Sequence, residues 1–233
     1  MQLLLTNDDG IDAPGLAALR QALSDVAPLL IVAPQTHQSG CGHQVTTHQP
    51  LIVDQRDDHH FAVAGTPTDC IRFALNQLCP TPAWVIAGVN YGGNLGVDIY
   101  TSGTVAAVRE AAFYRLPGIA FSQYRKAGRP VDWSRAAHWV TRVFDHIQPL
   151  PLAPGHFWNV NFPHWQPGEP EPEIHLCPPC TQPLPAIYVP TADGYQYQGE
   201  YSQRRRDPNS DVARCLSGHI ALSRLSILGS NPN

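Results

Sequence analysis

The sequence lacks features that would point to several common classes of protein. No run of apolar residues approaches the roughly 18 consecutive positions of a membrane-spanning helix, so we expect no membrane partner. Basic residues are not in excess: 15 Lys and Arg against 19 Asp and Glu give a net charge of −4. We therefore expect no binding to a nucleic-acid polymer. No internal repeat or low-complexity tract interrupts the 233 residues.

The first ten residues also lack the basic start of a secretory signal, and they reach two adjacent acids directly. We therefore expect a cytoplasmic protein whose six cysteines are reduced thiols. Cys177 and Cys180 have the spacing of a redox pair or of half a zinc site, but no second pair follows them. A zinc bridge or disulfide between subunits through these thiols stays open.

Short apolar runs alternate with helical patterns along most of the chain, which predicts right-handed β-α-β units and a mostly parallel sheet in an α/β fold. Proline becomes dense over residues 149–190. This shift separates a compact part, 1–150, from 151–233, for which we predict a final core strand and an extended arm within one domain. The predicted strands are 2–6, 29–33, 51–54, 61–64, 84–87, 119–121, 158–162 and 219–228, with arm strands at 186–189 and 195–201.

Two adjacent acids, Asp8 and Asp9, follow the first predicted strand. Open α/β sheets bind their ligands at the carboxyl ends of parallel strands. Two carboxylates there repel each other, and a hard divalent cation between them would remove the repulsion. Taken alone, the pair also fits a simple turn at Asp9 and Gly10 that Asp8 caps.

Two further strand ends carry neutral oxygen donors. Ser39 and Gly40 follow the second strand, and Asn90 follows the strand at 84–87. Hydroxyl and amide oxygens are suitable ligands for Mg²⁺ or Mn²⁺ beside carboxylates, and glycine lets backbone N–H groups turn toward an anion. A flexible glycine loop and an Asn-Gly turn are the alternative interpretations.

Ser102, Gly103 and Thr104 begin a predicted helix. A helix N-terminus binds phosphate through its free N–H groups and its dipole. Ordinary capping by Ser102 is the alternative, and both interpretations can hold together. The glycine-rich stretch 88–94 is not a Walker loop, because no Gly-Lys-Ser/Thr follows it.

In combination, these strand ends resemble the SurE (survival protein E) family of metal-dependent nucleotidases. The resemblance covers residues 3–122 in order and extends more weakly to NVNFP (159–163), SDV (210–212) and Gly218. The motifs that carry it are LTNDDGI (5–11), APG (13–15), VAP (32–34), SG (39–40), GTPTDC (65–70), GVN (88–90), NLG (94–96) and SGTVAA (102–107).

The resemblance implies hydrolysis of nucleoside 5′- and 3′-monophosphates, and of short polyphosphate, on a Rossmann-like three-layer α/β/α fold. It implies one divalent cation per subunit, Mg²⁺ or Mn²⁺. It also implies a homodimer or homotetramer that exchanges the C-terminal β-rich arm. The metal ligands would be Asp8, Asp9, Ser39 and Asn90. The predicted phosphate pocket consists of Gly40, Asn94, Ser102, Gly103 and Thr104.

Two mechanisms stay open: Asp8 orients or deprotonates the attacking water, or Asp8 attacks phosphorus and forms an aspartyl-phosphate. The alternative function is a non-catalytic sensor of nucleotide or phosphate on the same scaffold. A haloacid-dehalogenase-like phosphatase is rejected because its two acids stand one residue apart, whereas Asp8 and Asp9 are adjacent. Tyr91 and the loop 35–38 depart from the family pattern, so base preference stays open.

Overall fold

A computed structural model describes residues 2–126 and 129–227. The strands are β1 Leu3–Thr6, β2 Leu29–Pro34, β3 Val53–Gln55, β4 His60–Val63, β5 Trp84–Asn90, β6 Gly118–Gln123, β7 His156–Phe162, β8 Ile174–Leu176, β9 Tyr188–Thr191, β10 Gly194–Tyr197 and β11 Ile220–Ser226. Nine of these form the central sheet, in the order β3-β4-β2-β1-β5-β6-β7-β11-β8, and β9 and β10 form a separate two-stranded sheet. The helices are α1 Pro14–Leu23, α2 Pro67–Gln77, α3 Gly103–Phe113, α4 Trp133–Ile147 and α5 Asp211–Leu216, with 3-10 helices at Gly96–Tyr100 and Tyr201–Gln203.

The sheet is mostly parallel and is covered on both faces, which confirms the predicted three-layer α/β/α fold. Strands β4, β2, β1, β5, β6 and β7 run parallel to one another. Helices α1 and α4 pack on one face and α2 and α3 on the other, each over its own apolar cluster. Because both faces are buried, the central strands are apolar without alternation, as parallel strands usually are. Within the described ranges, no helix has the length and apolarity needed to cross a membrane.

Local sequence signals account for the helix starts. The Thr66 hydroxyl accepts from the N–H of Asp69, and the Asp69 carboxylate accepts from the N–H of Thr66, which forms a complete capping box at α2. Pro14 occupies the first turn of α1, where its missing N–H costs nothing. Both signals are present in the sequence itself, as Thr-Pro-Thr-Asp at 66–69 and as proline at position 14.

One extra residue in β5 changes which face its last side chain meets. Ala87 pairs with Ala120 of β6, but Asn90 pairs with Ser122, so β5 carries one residue more than its neighbour in this interval. Gly88 permits the bulge, since its φ is +138° and a Cβ there would lie 2.4 Å from the Phe121 carbonyl oxygen. Beyond the bulge, Val89 lies in the α1/α4 core, so Asn90 is turned toward the α2/α3 face.

Several predicted boundaries were wrong. The strand predicted to end at residue 87 continues to Asn90, because the bulge keeps it paired with β6. The arm strands lie at Tyr188–Thr191 and Gly194–Tyr197 instead of 186–189 and 195–201. The final strand is Ile220–Ser226 instead of 219–228, and residue 228 lies outside the described residues. Helix α5 and strand β8 were not predicted, and β7, β8 and β11 all join the main sheet. The division after residue 150 stays a prediction.

The C-terminal part is anchored to the segment between β5 and α3. The Tyr201 hydroxyl donates to the Asp98 carboxylate at 2.5 Å, and Arg204 donates to the same oxygen at 2.7 Å. The Asp211 carboxylate accepts from the N–H of Gly96 at 2.7 Å. These bonds, buried or partly buried, hold the segment that leads from Asn90 to the start of α3.

Candidate functional site at the carboxyl edge of the sheet

Asp8 is a buried carboxylate at the end of β1, on the side of the sheet that α3 covers. Its side chain is 3% exposed, and its Oδ1 accepts from the Thr104 hydroxyl at 2.5 Å. Burial raises the pKa of Asp8, the bond from Thr104 opposes that rise, and the nearby charge of Asp9 adds to it. A cation at this carboxylate would offset the cost of burying its negative charge.

Asp9 has a different set of partners from Asp8. Its Oδ2 accepts from the backbone N–H of Tyr91 at 2.9 Å, and its Oδ1 lies 3.4 Å from Nδ1 of His37. The Asp9 side chain is 12% exposed. The pair therefore combines a buried acid next to α3 with a more accessible acid that faces the opposite wall of the site.

The glycine-rich loop after β2 lies between Asp8 and the start of α3. The N–H of Gln38 donates to the carbonyl oxygen of Asp8 at 2.7 Å, and the N–H of Gly42 donates to that of Thr101 at 3.0 Å. Ser39 and Gly40 are exposed at the top of this loop, and Gly40 has φ +77°. The structure thus brings the loop to the predicted site, while a contact from Ser39 to the acids stays a prediction.

Asn90 is buried at the end of β5 with its amide in a fixed orientation. Its Nδ2 donates to the carbonyl oxygen of Gly92 at 2.9 Å, so Oδ1 points away from that carbonyl group. That this oxygen shares one cation with Asp8 and Asp9 stays a prediction, and the three side chains would supply hard, mostly anionic oxygen ligands. Such a set fits Mg²⁺ or Mn²⁺ better than a soft metal ion.

The start of α3 combines helix capping with a very close approach to Asp8. The Ser102 hydroxyl accepts from the N–H of Val105 at 3.1 Å, so the capping interpretation holds. A Cβ at Gly103 would lie 2.9 Å from both Asp8 Cβ and Cys41 Sγ. Only glycine lets the helix N-terminus come this near to the carboxylate, and its dipole favours negative charge there.

Asn94 is held inside a polar network whose members, apart from Asn94, were not predicted as site residues. Its side-chain amide donates to the Ser122 hydroxyl at 2.8 Å, and its N–H donates to Asn161 Oδ1 at 2.7 Å. The side-chain amides of Asn159 and Asn161 both donate to its carbonyl oxygen. The network fixes the loop between β5 and α3, whereas contact of Asn94 with phosphate stays a prediction. The asparagines at alternate positions of β7 were the signal that could have revealed it.

A cavity of about 660 Å³ opens beside Asp9, on the side opposite α3. Tyr91 and Trp133 form part of its wall, with ring centroids 6.0 Å apart and planes at 41°. The Arg125 guanidinium lies 4.4 Å from the Tyr91 ring centroid. The cavity therefore offers aromatic surface next to an anionic site, a combination that suits a flat heterocycle joined to a polar group.

Comparison with known proteins gives a consistent result. The profile of the family described as Survival protein SurE matches residues 3–183. A candidate 5′-nucleotidase from Nostoc sp. is 53% identical over 227 residues, which cover 97% of this chain and 100% of that protein. A 5′-nucleotidase SurE from Rhizorhabdus wittichii is 44% identical over 177 residues, 72% of this chain and 69% of that protein.

The fold agrees with a solved structure along almost the whole chain. The crystal structure of a SurE protein from Aquifex aeolicus superposes with a TM-score of 0.86 at 27% sequence identity. The match covers 99% of this chain and 95% of that one. The agreement therefore includes the C-terminal strands beyond the residues that the family profile matches.

Proposed function

The chain belongs to the survival protein SurE family, and on that premise we propose that the edge carrying Asp8, Asp9 and Asn90 is its hydrolytic centre. The activity is that of a 5′-nucleotidase, a phosphoric monoester hydrolase that acts on nucleoside monophosphates. One observation carries the assignment to this edge: the Thr104 hydroxyl contacts Asp8 and so brings the paired acids to the N-terminus of α3.

Metal dependence is a property of the family, and the ligands proposed here are Asp8, Asp9, Ser39 and Asn90. A divalent cation, Mg²⁺ or Mn²⁺, would supply Lewis-acid stabilisation of the phosphoryl oxygens and make a nearby water a stronger acid. The hard oxygen donors and the buried charge of Asp8 support this choice.

The remaining chemistry falls to residues of the chain. The N-terminus of α3, with Ser102 and Gly103, would hold the phosphoryl group through N–H donors and the helix dipole, together with Gly40 and Asn94. Thr104 keeps one oxygen of Asp8 occupied, which leaves the other to orient water or accept its proton. The competing covalent route predicts an acid-stable phosphoryl label on Asp8 after quenching during turnover, and absence of that label would favour water attack.

The aromatic cavity next to Asp9 would hold the nucleoside. Stacking of a base on an aromatic ring contributes about 1–3 kcal/mol. Tyr91→Ala should therefore raise KM for nucleoside monophosphates roughly 5-fold or more, with little change for a phosphomonoester that has no base. Tyr114→Ala is the matched control, since Tyr114 is 45% exposed against 44% for Tyr91 and lies outside the cavity. An equal KM for base-containing substrates in both variants would contradict this placement.

The β9–β10 arm is proposed to join subunits into a dimer or tetramer. Ile187, Tyr188 and Tyr195 are 53%, 61% and 77% exposed, and exposed apolar side chains that lie together often mark a protein–protein contact. Light scattering of a Tyr188→Ser/Tyr195→Ser variant should give a lower mass than the unmodified chain, and an unchanged mass would argue against the arm. Activity on 3′-monophosphates and short polyphosphate, and the cytoplasmic location, stay predictions.

The direct test measures phosphate release from nucleoside 5′-monophosphates with Mg²⁺ or Mn²⁺. Asp8→Asn and Asn90→Ala should each remove most of the activity. Asp58→Asn and Asn76→Ala, which change exposed residues of the same types, should not. Full activity in both site variants would refute the proposed centre. Binding of nucleotide without turnover would support the sensor function, which no observation favours at present.

A further inference from the structure

A second group of metal-ligating side chains lies at the far edge of the main sheet. One ligand atom each from Glu173, His175 and His219 lies within 4.8 Å of the others. Strand register produces the group: Ile220 of β11 pairs with Ile174 of β8, so His219 stands opposite Glu173. Because side chains at alternate positions share one face of a sheet, His175 projects beside them. The paired strands β8 and β11, with the residue that directly precedes each, therefore hold all three side chains.

The three side chains lie close together, but one of their polar atoms has no hydrogen-bond partner. Nε2 of His175 lies 3.1 Å from a carboxylate oxygen of Glu173, and the two imidazole rings have centroids 4.4 Å apart. Nδ1 of His219 is buried and has no hydrogen-bond partner among the described residues. A buried polar atom without a partner is costly, and a bound cation would remove that cost.

We propose that Glu173, His175 and His219 bind a borderline divalent transition ion of the Zn²⁺ class. Two imidazoles and a carboxylate are a common zinc donor set, and they differ from the all-oxygen set near Asp8. Zn–N bonds of about 2.0–2.1 Å place tetrahedral ligand atoms roughly 3.3 Å apart. The present ligand atoms lie within 4.8 Å of one another, so closing the site requires side-chain movements of at most about 1.5 Å.

Three protein ligands leave a fourth position open. Glu173 and His219 also line a cavity of about 720 Å³, and the Glu173 side chain is 76% exposed, so ions and water can reach the group. The ion would connect β8 to β11 and stabilise the folded chain by mass action. Since these residues lie apart from Asp8, Asp9 and Asn90, the site is independent of the proposed function.

The test titrates Co²⁺, a spectroscopic substitute for Zn²⁺, into the full chain. An Asp8→Asn/Asp9→Asn variant removes the ligands proposed at the other site. It should still bind one Co²⁺, with visible absorption typical of nitrogen and oxygen ligands, and Zn²⁺ should raise its melting temperature. His175→Ala/His219→Ala in that background should weaken Co²⁺ binding roughly 10-fold or more and abolish the thermal shift. The conservative Glu173→Gln variant should weaken binding without altering the fold.

His48→Ala, at an exposed histidine outside the group, is the matched control and should bind Co²⁺ as before. In the otherwise unmodified chain, His175→Ala/His219→Ala should keep full activity with Mg²⁺, which separates this site from the hydrolytic centre. Unchanged Co²⁺ affinity in the double histidine variant would overturn the proposal. So would a thiolate-to-cobalt charge-transfer band, which would assign the ion to cysteine.

Discussion

Replacing Gly103 by alanine should remove most of the phosphatase activity while leaving the fold intact. The new Cβ would lie 2.9 Å from Asp8 Cβ and from Cys41 Sγ, and 3.1 Å from Asp8 Oδ2. Since ordinary contacts between carbon atoms are about 3.5–4.0 Å, Asp8 or α3 must shift by roughly 0.5–1 Å. A misplacement of about 1 Å at a reacting group can cost about 100-fold in rate. We expect kcat/KM to fall between 10- and 100-fold, about 1.4–2.7 kcal/mol.

The assay is phosphate release from a nucleoside 5′-monophosphate at saturating Mg²⁺ or Mn²⁺, with thermal denaturation as the check on folding. Alanine favours the helix more than glycine does, so the melting temperature should not fall far. Cys41→Ala alone should leave kcat/KM close to that of the unmodified chain. Gly103→Ala/Cys41→Ala should recover only part of the loss, because the contact with Asp8 persists. A Gly103→Ala enzyme within about 2-fold of the unmodified kcat/KM would refute the claim that this approach positions Asp8.

Three further predictions concern stability and reactivity. Arg204→Met should lower the melting temperature by roughly 6 °C or more, since breaking a buried ion pair costs about 3–5 kcal/mol. Arg204 is only 2% exposed, and its guanidinium lies 2.7 Å from the Asp98 carboxylate. Asp98→Asn/Arg204→Met should recover part of that loss, and an unchanged melting temperature in Arg204→Met would contradict the pairing. Burial works to raise the pKa of Glu110, but bonds from His43 and Arg72 lower it below 4.5. Its contribution to stability is therefore full above that pH and disappears as pH falls through the lowered value. Glu110→Gln should accordingly flatten the melting temperature against pH on the acid side, unlike Glu169→Gln at an exposed position. Burial raises the pKa of Cys41 to about 11, so its alkylation by iodoacetamide should be slow at neutral pH and accelerate as pH rises. Rapid labelling of Cys41 at neutral pH, measured by mass spectrometry, would contradict this.

Elements with strong local signals could be predicted from the sequence. The Thr-Pro-Thr-Asp signal at 66–69 marks the start of α2, and apolar side chains at helical spacing mark α4 over Trp133–Ile147. Strand β8 could not be predicted, because its three residues become a strand only by pairing with β11, more than forty positions later. Helix α5 has only six residues, too few for a visible apolar stripe, although Ser210 caps it.

The candidate site was predictable where a general rule of parallel sheets applied. The carboxyl ends of parallel strands meet at one edge of the sheet, which predicts that Asp8 and Thr104 lie close together although 96 positions separate them. The two side chains are hydrogen-bonded. The rule could not foresee that Asp9 faces Tyr91 instead of α3, because the direction of a side chain beyond a strand end depends on loop contacts. Nor could it show that Asn94 is held by Asn161, since that pairing depends on the position of β7.

The bulge in β5 determines which face of the sheet Asn90 meets. Ala87 lies in the α2/α3 core, so regular alternation through Gly88 and Val89 would place Asn90 on the α1/α4 face. The bulge absorbs one residue, so Val89 joins the α1/α4 core and Asn90 stays paired with Ser122. Deleting Gly88 should therefore leave Asn90 on its present face, whereas a change that abolishes the bulge but keeps the residue should turn Asn90 away although no proposed ligand had changed. Anyone who transfers the ligand set to another parallel sheet must transfer the bulge together with its glycine, or omit both.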